Sequence, residues 1–431
     1  MHATSQAVAI IEDCYESGRY PLTAVRGLIS PVLPRPRDDA EMTAEGNDIC
    51  LVCGGTSLEP LIFIPGVPML CNRLCASEAE AANAPRGDIY LIYCLDCGHV
   101  ANSAFDQTCV NYDGCYENTL TFSPCYRRYA DETARRLICR YGLTGKRIVE
   151  IGCGSGDFLR LLCTAGNDGE GYDPSQATGR YAAGPGSFEI IGRSFTTGDA
   201  RGADFVCCRH VLEHLPDPID LLRRLRESVS AGGGGIVFFE VPNALLILDR
   251  LSIWDIIYEH VSYFTPLSLS QAFSNAGFTV RSAEPGFDDQ YLWVEACVDV
   301  HTAPSVLPRR PADALYRSFG ARFTERQAHW RRRLDGLRRE QRRTVVWGAG
   351  SKGIMFLNLL GVPAGTGIDW VVDINPRKHG HFVPLTGQRI VGPDCLPQNP
   401  PDLIIVMNPE YQPEVRSMIA DLGIDCEVMN A

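Results

Sequence analysis

Three short stretches carry residues that can do chemistry. Cys50-x2-Cys53 and Cys94-x2-Cys97 offer four thiols as two pairs. Glu150-Ile-Gly-Cys-Gly-Ser-Gly156 sets glycines behind an acid. Tyr258, Glu259 and His260 stand consecutively in Ile257-Tyr-Glu-His-Val-Ser-Tyr-Phe-Thr-Pro266. Zinc prefers four tetrahedral thiolate or imidazole ligands, and a Cys-x2-Cys turn puts two sulfurs on one side of the ion. Each second pair member precedes a glycine, Gly54 and Gly98, which suits the bend of a knuckle. Cys50, Cys53, Cys94 and Cys97 are therefore the expected metal ligands. Four thiolates leave no open coordination position, so the zinc would be structural. Cys71-x3-Cys75 is a rival pair with poorer spacing, His99 could stand in for one ligand, and four free cysteines is the plain alternative.

The glycine turn ends an apolar strand, Arg147-Ile-Val-Glu-Ile151, and opens a helix at Asp157. Glycine there lets the backbone approach a ligand closely at the carboxyl edge of a parallel sheet. Asp173 ends the next strand, where a carboxylate can accept both hydroxyls of a ribose. The turn has the Gly-x-Gly-x-Gly form, not the Gly-x-Gly-x-x-Gly of the dinucleotide fingerprint. His210 falls at the carboxyl end of a further strand, Asp204-Phe-Val-Cys-Cys208. His214, four residues on, reads as helix-facing and structural. Histidine moves protons near neutral pH, and a tyrosine hydroxyl can hold a developing oxyanion. Consecutive side chains diverge, so Glu259 need not orient His260.

These groups need a scaffold. A helix is predicted over 125–143, with Tyr126, Tyr129, Ala130, Ala134 and Leu137 on one face. Strands and helices alternate from residue 147 and again from 344, which implies two doubly wound α/β units with mainly parallel sheets. Between them, residues 312–343 form an arginine-crowded helix. It reads as a solvated interdomain helix that buries Leu315, Phe319, Phe323, Trp330, Leu334 and Leu337, in preference to a nucleic-acid arm. The expected division is an extension over 1–48 containing Ser30-Pro-Val-Leu-Pro-Arg-Pro-Arg37, a zinc-binding domain over 49–110, a central α/β domain over 111–303, a linking helix over 304–343, and a second Rossmann-like domain over 344–431.

The bulk properties agree with a multidomain soluble protein. The chain has 431 residues, a net charge of -12 and 18 cysteines. That length predicts two or three domains. An acidic balance argues against a general nucleic-acid binder. No apolar run is long enough to span a membrane, and the N-terminus lacks the marks of a secretory signal. Scattered cysteines in such a chain fit reduced thiols and one metal site, so a cytoplasmic location is expected.

Glu150-Ile-Gly-Cys-Gly-Ser-Gly156 with Asp173 resembles motifs I and II of class I S-adenosylmethionine-dependent methyltransferases. That resemblance implies that Glu150, Gly152 and Gly154 line the methionine and adenosine of the cofactor and that Asp173, with Pro174, meets the ribose. It also implies that Asp199 approaches adenine. Arg209-His-Val-Leu-Glu-His-Leu-Pro-Asp-Pro218 is similar to the family's segment after the fourth strand, which adds Arg209. Together, the cysteine pairs, this central unit, the Tyr-Glu-His-Val-Ser-Tyr-Phe run and Trp347-Gly-Ala-Gly-Ser-Lys-Gly353 resemble the three-part sugar C-methyltransferases over roughly residues 49–431. Tyr116-Glu-Asn resembles that family's substrate-side tyrosine region.

The activity so implied is methylation of a carbon beside a ketone on a nucleotide-linked 4-keto-deoxyhexose, in antibiotic or surface-glycan pathways. His260 would be the base, Glu259 and His210 would support it, and Tyr258 or Tyr116 would stand near the keto oxygen. Three other readings remain open at this point. One is an O- or N-methyltransferase on a non-sugar natural product. Another is a zinc-dependent interaction protein with a vestigial cofactor fold. The third is a nicotinamide-dependent step in the C-terminal unit, whose Gly348-Ala-Gly-Ser-Lys-Gly353 has the dinucleotide spacing before Asp373. Lys352 inside that turn speaks against nicotinamide and leaves a nucleotide-sugar diphosphate, or no phosphate ligand.

Overall fold

The computed structural model describes residues 49–110, 115–298, 308 and 310–431. The extension over 1–48 and the first part of the break near Pro304 lie outside the described residues.

Three sheets organise the described residues. The central one starts from β4 (Arg147–Ile151), whose neighbours are β5 (Asp168–Tyr172) and β8 (Phe205–Arg209). Beyond β5 come β7 (Gly186–Ile191) and β6 (Gly179–Ala183), and beyond β8 come β9 (Ile236–Pro242), β12 (Tyr291–Cys297) and β11 (Thr279–Gly286). The strands from β7 to β9 run parallel, β12 inserts antiparallel between β9 and β11, and β6 closes a hairpin on β7. β8 reads as an apolar run, Phe205-Val-Cys-Cys208, because both faces of the sheet are covered, and β4 breaks the same pattern at Glu150. Helices α1 (Pro124–Tyr141) and α2 (Asp157–Cys163) pack on one face. Helices α3 (Pro218–Ala231) and α4 (Pro266–Asn275) cover the other. The sequence dictates the ends of α1: the Ser123 hydroxyl accepts from the Tyr126 N–H, Pro124 opens the helix, and Gly142 closes it at φ 58°.

The first sheet is antiparallel, built from β1 (Leu58–Pro68), β2 (Arg86–Cys94) and β3 (Val100–Asn102). Its fourth strand, β10 (Ser262–Tyr263), comes from far along the chain, with one residue between it and His260. Ser262 pairs with Ala101 and Tyr263 with Val100. The stretch Ala244–Tyr263 is thus packed into the core of the first sheet, although sequence periodicity assigns it to the central unit.

The third sheet is fully parallel. Its order is β15 (Arg389–Val391), β14 (Trp370–Val372), β13 (Thr344–Trp347), β16 (Leu403–Val406), β17 (Glu427–Asn430). The arginine-rich helix α5 (Phe319–Arg339) buries Phe319, Phe323, Trp330 and Leu337, with Leu315 and Leu334 packed against the same core. Phe356, on α6 (Ser351–Leu360), meets Trp254 edge-on at 4.8 Å and Trp330 at 5.1 Å. Burying one such ring stabilises the fold by about 1.5–3 kcal/mol. This aromatic contact joins the Ala244–Tyr263 stretch, α5 and the third sheet. No helix among the described residues is long and apolar enough to cross a membrane.

Candidate active site

The cofactor side begins at β4. Gly152, Gly154 and Gly156 all adopt positive φ (69°, 51° and 77°), the left-handed region that glycine enters without penalty. A Cβ on Gly152 would lie 2.3 Å from Val211 Cγ2, whereas one on Gly154 would meet open space. The first glycine lets the turn pack on the segment after β8, and the second leaves room beside the backbone. Gly154 N–H donates to Asp173 Oδ2 at 2.9 Å, and Ser175 donates twice to Oδ1, from N at 2.9 Å and Oγ at 2.6 Å. Pro174 restricts Asp173 to extended backbone. Glu150 is buried and its Oε2 has no hydrogen-bond partner. Burial pushes its carboxyl up to about 8 despite nearby Arg209. An orphaned buried acid, an open glycine cradle and an acid at the next strand end fit the ammonium, adenosine and ribose of S-adenosylmethionine.

Two expected cofactor contacts have other work. Asp199 accepts both arms of Arg193 at 2.8 and 2.9 Å and Thr196 N and Oγ1 at 2.8 Å, so it caps its own loop. Arg209 is buried, donating to Glu240 Oε1 from Nε at 2.9 Å and Nη2 at 2.7 Å, and to the Tyr126 hydroxyl at 3.0 Å. It is the countercharge of Glu240.

The second group of expected site residues lies at the carboxyl ends of β8 and β9. His210 takes φ 56°, rare for a side-chain-bearing residue, while its N–H donates to Glu240 O at 2.8 Å. Its Nε2 lies 3.1 Å from Glu240 Oε1, off the line of a hydrogen bond, and its Nδ1 lies 3.7 Å from Glu213 Oε1. Burial would lower its pKa, but these two acids outweigh it and raise the imidazole to about 9. Glu240, also buried, is instead held down at about 2 by Arg209, His210 and Tyr129. An aromatic wall of Tyr129, Phe287 and Tyr291 stands beside this cluster, with the His210 ring 4.6 Å from Tyr291.

His260 is brought in by backbone pairing. Val261 N–H donates to Glu213 O at 2.9 Å, and His214 Nδ1 meets Glu259 O at 2.9 Å. These contacts bring the His214 and His260 rings to 4.9 Å and gather Glu213, His214 and His260. Burial first, and His214 second, lower the His260 pKa to about 3, so the ring is neutral at neutral pH. His214 is therefore no bystander on a helix. It ends a short 3-10 turn, Leu212–His214, at the centre of the cluster.

The two residues before His260 turn elsewhere, as diverging neighbours must. Glu259 accepts Cys71 N–H at 2.6 Å and the Tyr116 hydroxyl at 2.6 Å, so its carboxylate holds Tyr116. Tyr258 accepts Asp106 N–H at 3.0 Å and lies against Gly87, where an added Cβ would come within 2.3 Å of its ring. It anchors the first sheet. Of the two tyrosines considered, Tyr116 is the one held by a buried acid. Tyr126, Tyr129 and Tyr291 carry no local signal for a site, since each belongs to an ordinary-looking strand or helix pattern, and Glu213 stands unmarked inside the Arg209–Pro218 segment. Glu240 was the most findable, as a lone acid at the end of the apolar run Gly235-Ile-Val-Phe-Phe-Glu240.

The four cysteines converge as their spacing predicts. Cys50 Sγ is 3.5 Å from Cys97 Sγ, and Cys53 Sγ is 3.5 Å from Cys94 Sγ. Val52 and Gly55 N–H groups point at Cys50 and Cys53 Sγ, each at 3.4 Å. Gly54 and Gly98 take φ 72° and 70° and donate to the carbonyls of Cys50 and Cys94 at 2.9 Å. The donor set fits a tetrahedral thiolate ion such as zinc. Cys71 and Cys75 lie outside this group, and His99 packs on Phe264 with neither ring nitrogen hydrogen-bonded.

The third sheet repeats the acid clasp. Ala349 N–H donates to Asp373 Oδ2 and Asn375 N–H to Oδ1, both at 2.8 Å. Lys352 is drawn away from the turn by Gln290 at 3.0 Å, Asn408 at 2.8 Å and Asp255 at 3.1 Å.

Comparison with known proteins matches two families. Residues 126–283 match the family described as "Methyltransferase domain". Residues 311–423 match the one described as "C-methyltransferase C-terminal domain". C-methyltransferase NovU of Streptomyces niveus is 24% identical over 391 residues, covering 85% of this chain and 91% of its own. Ubiquinone biosynthesis O-methyltransferase of Aeromonas salmonicida is 28% identical over 158 residues, covering 32% of this chain and 66% of its own. Among solved structures, magnesium protoporphyrin IX methyltransferase of Synechocystis aligns at TM-score 0.33 and 14% identity over 42% of this chain and 89% of its own, too weak a likeness to carry weight. The chain is an S-adenosylmethionine-dependent methyltransferase with a class I Rossmann-like sheet, and the relative and the C-terminal family support transfer to carbon. These findings remove the alternative of a zinc-dependent interaction protein with a vestigial cofactor fold.

Proposed function

We propose that this methyltransferase acts on a carbon beside a ketone of a nucleotide-linked deoxysugar, in natural-product or glycan biosynthesis, through an enolate formed by His260. The observation that carries the reading is a neutral, buried histidine grouped with Glu213 and His214. Oxygen and nitrogen acceptors already carry lone pairs and need mainly positioning, whereas a carbon acid needs a base and an oxyanion donor.

S-adenosylmethionine supplies a methyl carbon made electrophilic by its sulfonium, and the new carbon–carbon bond replaces the methyl–sulfur bond. Glu150 would take its ammonium, Gly152 and Gly154 would line it, and Asp173 with Pro174 would meet its ribose. His260 withdraws the proton from the acceptor carbon. Glu213 would steady the charge that His260 gains, His210 would support the base by holding Glu213 from its other side, and Tyr116 would turn its hydroxyl from Glu259 to the enolate oxygen. Zinc on Cys50, Cys53, Cys94 and Cys97 would lock the sheet to which β10, just beyond His260, belongs. The turn before Asp373 would meet the nucleotide of the acceptor, without nicotinamide, and the enzyme would work in the cytoplasm. Incubation of the protein with a nucleotide-linked 4-keto-deoxysugar in deuterated water tests this. Deuterium should enter the carbon beside the ketone without methyl donor, and failure of that exchange together with methylation of a hydroxyl would refute it.

A further inference from the structure

Glu213, His214 and His260 are more than a proton-handling cluster. One ligand-capable atom from each of them lies within 4.8 Å of the others. Glu213 is 1% exposed, and neither carboxylate oxygen has a hydrogen-bond partner. The His210 ring stands off at 3.7 Å. His210 gives this carboxylate a charge partner but no hydrogen bond, and a buried carboxylate without a donor is costly. His214 Nδ1 lies 2.9 Å from the Glu259 carbonyl, which puts its proton on that nitrogen and leaves the lone pair on Nε2. A histidine oriented through its other nitrogen by a carbonyl is the usual support of a metal ligand. Two imidazoles and one carboxylate form a donor set that suits divalent transition metals better than magnesium or calcium.

From this geometry we propose a second metal site, Glu213–His214–His260, for a divalent transition cation, distinct from the four cysteines. A cation bound there occupies the lone pair of His260. Resting on the reading of His260 as the base, this makes the site inhibitory: metal and proton abstraction exclude one another.

The test uses the full chain with its cysteine site already filled with zinc, titrated with Co2+ alone. One further Co2+ per chain should bind, with the weak visible bands of nitrogen and oxygen ligands and no sulfur-to-cobalt charge transfer. Glu213→Gln and His214→Gln should each weaken that binding at least tenfold, while His329→Ala leaves it intact. Retained S-adenosylhomocysteine binding shows that each variant is folded. No second Co2+ in the wild type, or binding unaffected by both variants, would overturn the site. The spectrum of the wild type decides the matter even where a variant fails to fold. Inhibition is read separately. Methyl transfer should fall at least tenfold at saturation and recover with a chelator, and cluster-dependent binding without inhibition would count against His260 as base, not against the site.

Discussion

The Tyr116 hydroxyl donates to Glu259 Oε2 at 2.6 Å, across 143 residues of sequence. The next residue, Glu117, accepts from Asn375 at 3.1 Å and Arg377 at 3.3 Å, beside the glycine turn of the third sheet. Two consecutive residues therefore connect Glu259 with the C-terminal unit.

The two tyrosines should separate cleanly. Tyr116→Phe removes the hydroxyl proposed for the enolate oxygen, and methyl transfer should drop about 10²-fold with S-adenosylhomocysteine affinity unchanged. Tyr258→Phe removes only an acceptor for Asp106 N–H, costing about 1 kcal/mol of stability with little effect on turnover. Steady-state kinetics alongside denaturant titration checks both. Equal kinetic losses would break the assignment.

Glu150 makes a pH prediction. Its folded pKa is raised from 4.5 to about 8 by burial, so the folded protein holds a proton that the unfolded chain loses. The stability of the cofactor-free protein should therefore fall as pH rises from about 4.5 to about 8, relative to Glu150→Gln. Pairing with the ligand ammonium would ionise the acid, so binding S-adenosylhomocysteine at pH 7 should release close to one proton. Calorimetry in buffers of different ionisation enthalpy measures this. An unchanged proton count in Glu150→Gln would exclude the pairing.

The glycines of the first turn differ in kind. Gly152→Ala drives a Cβ into Val211 and should destabilise the fold by about 1–3 kcal/mol. Gly154→Ala meets no protein atom within 4 Å, so it should cost about 1 kcal/mol through its positive φ. Its main effect should be on cofactor affinity, at least tenfold weaker. Thermal melts and calorimetry distinguish the pair.

Much of this architecture was legible in the sequence. Arg147–Ile151 formed as a strand residue for residue, and the cysteine pairs met through the glycine-bent turns their spacing called for. The pairing of β10 with β3 was not legible. Ser262–Tyr263 is a two-residue strand whose partner lies in another part of the chain, and no periodicity marks it. That pairing is what turns Tyr258 and Glu259 toward the first sheet and seats His260 beside His214. The side-chain partners of Asp199 and Arg209, Arg193 and Glu240, were not legible either, because motif position fixes where a residue stands, not which neighbour meets its charge.

Removing the metal should expose that dependence. Cys94→Ser should lose the zinc proposed for the four cysteines and loosen β1–β3, and through them β10. Methyl transfer should then fail while the central sheet still binds S-adenosylhomocysteine. Elemental analysis and hydrogen exchange over residues 86–110 and 257–264 check it, and full activity in a zinc-free variant would contradict it.

The central claim is that His260 abstracts a proton from carbon. The direct measurement is deuterium exchange into a nucleotide-linked 4-keto-deoxysugar without methyl donor, wild type against His260→Asn. The account predicts exchange by the wild type and at least a 10²-fold loss in the variant, with S-adenosylhomocysteine still bound. Exchange at wild-type rate in His260→Asn would contradict it.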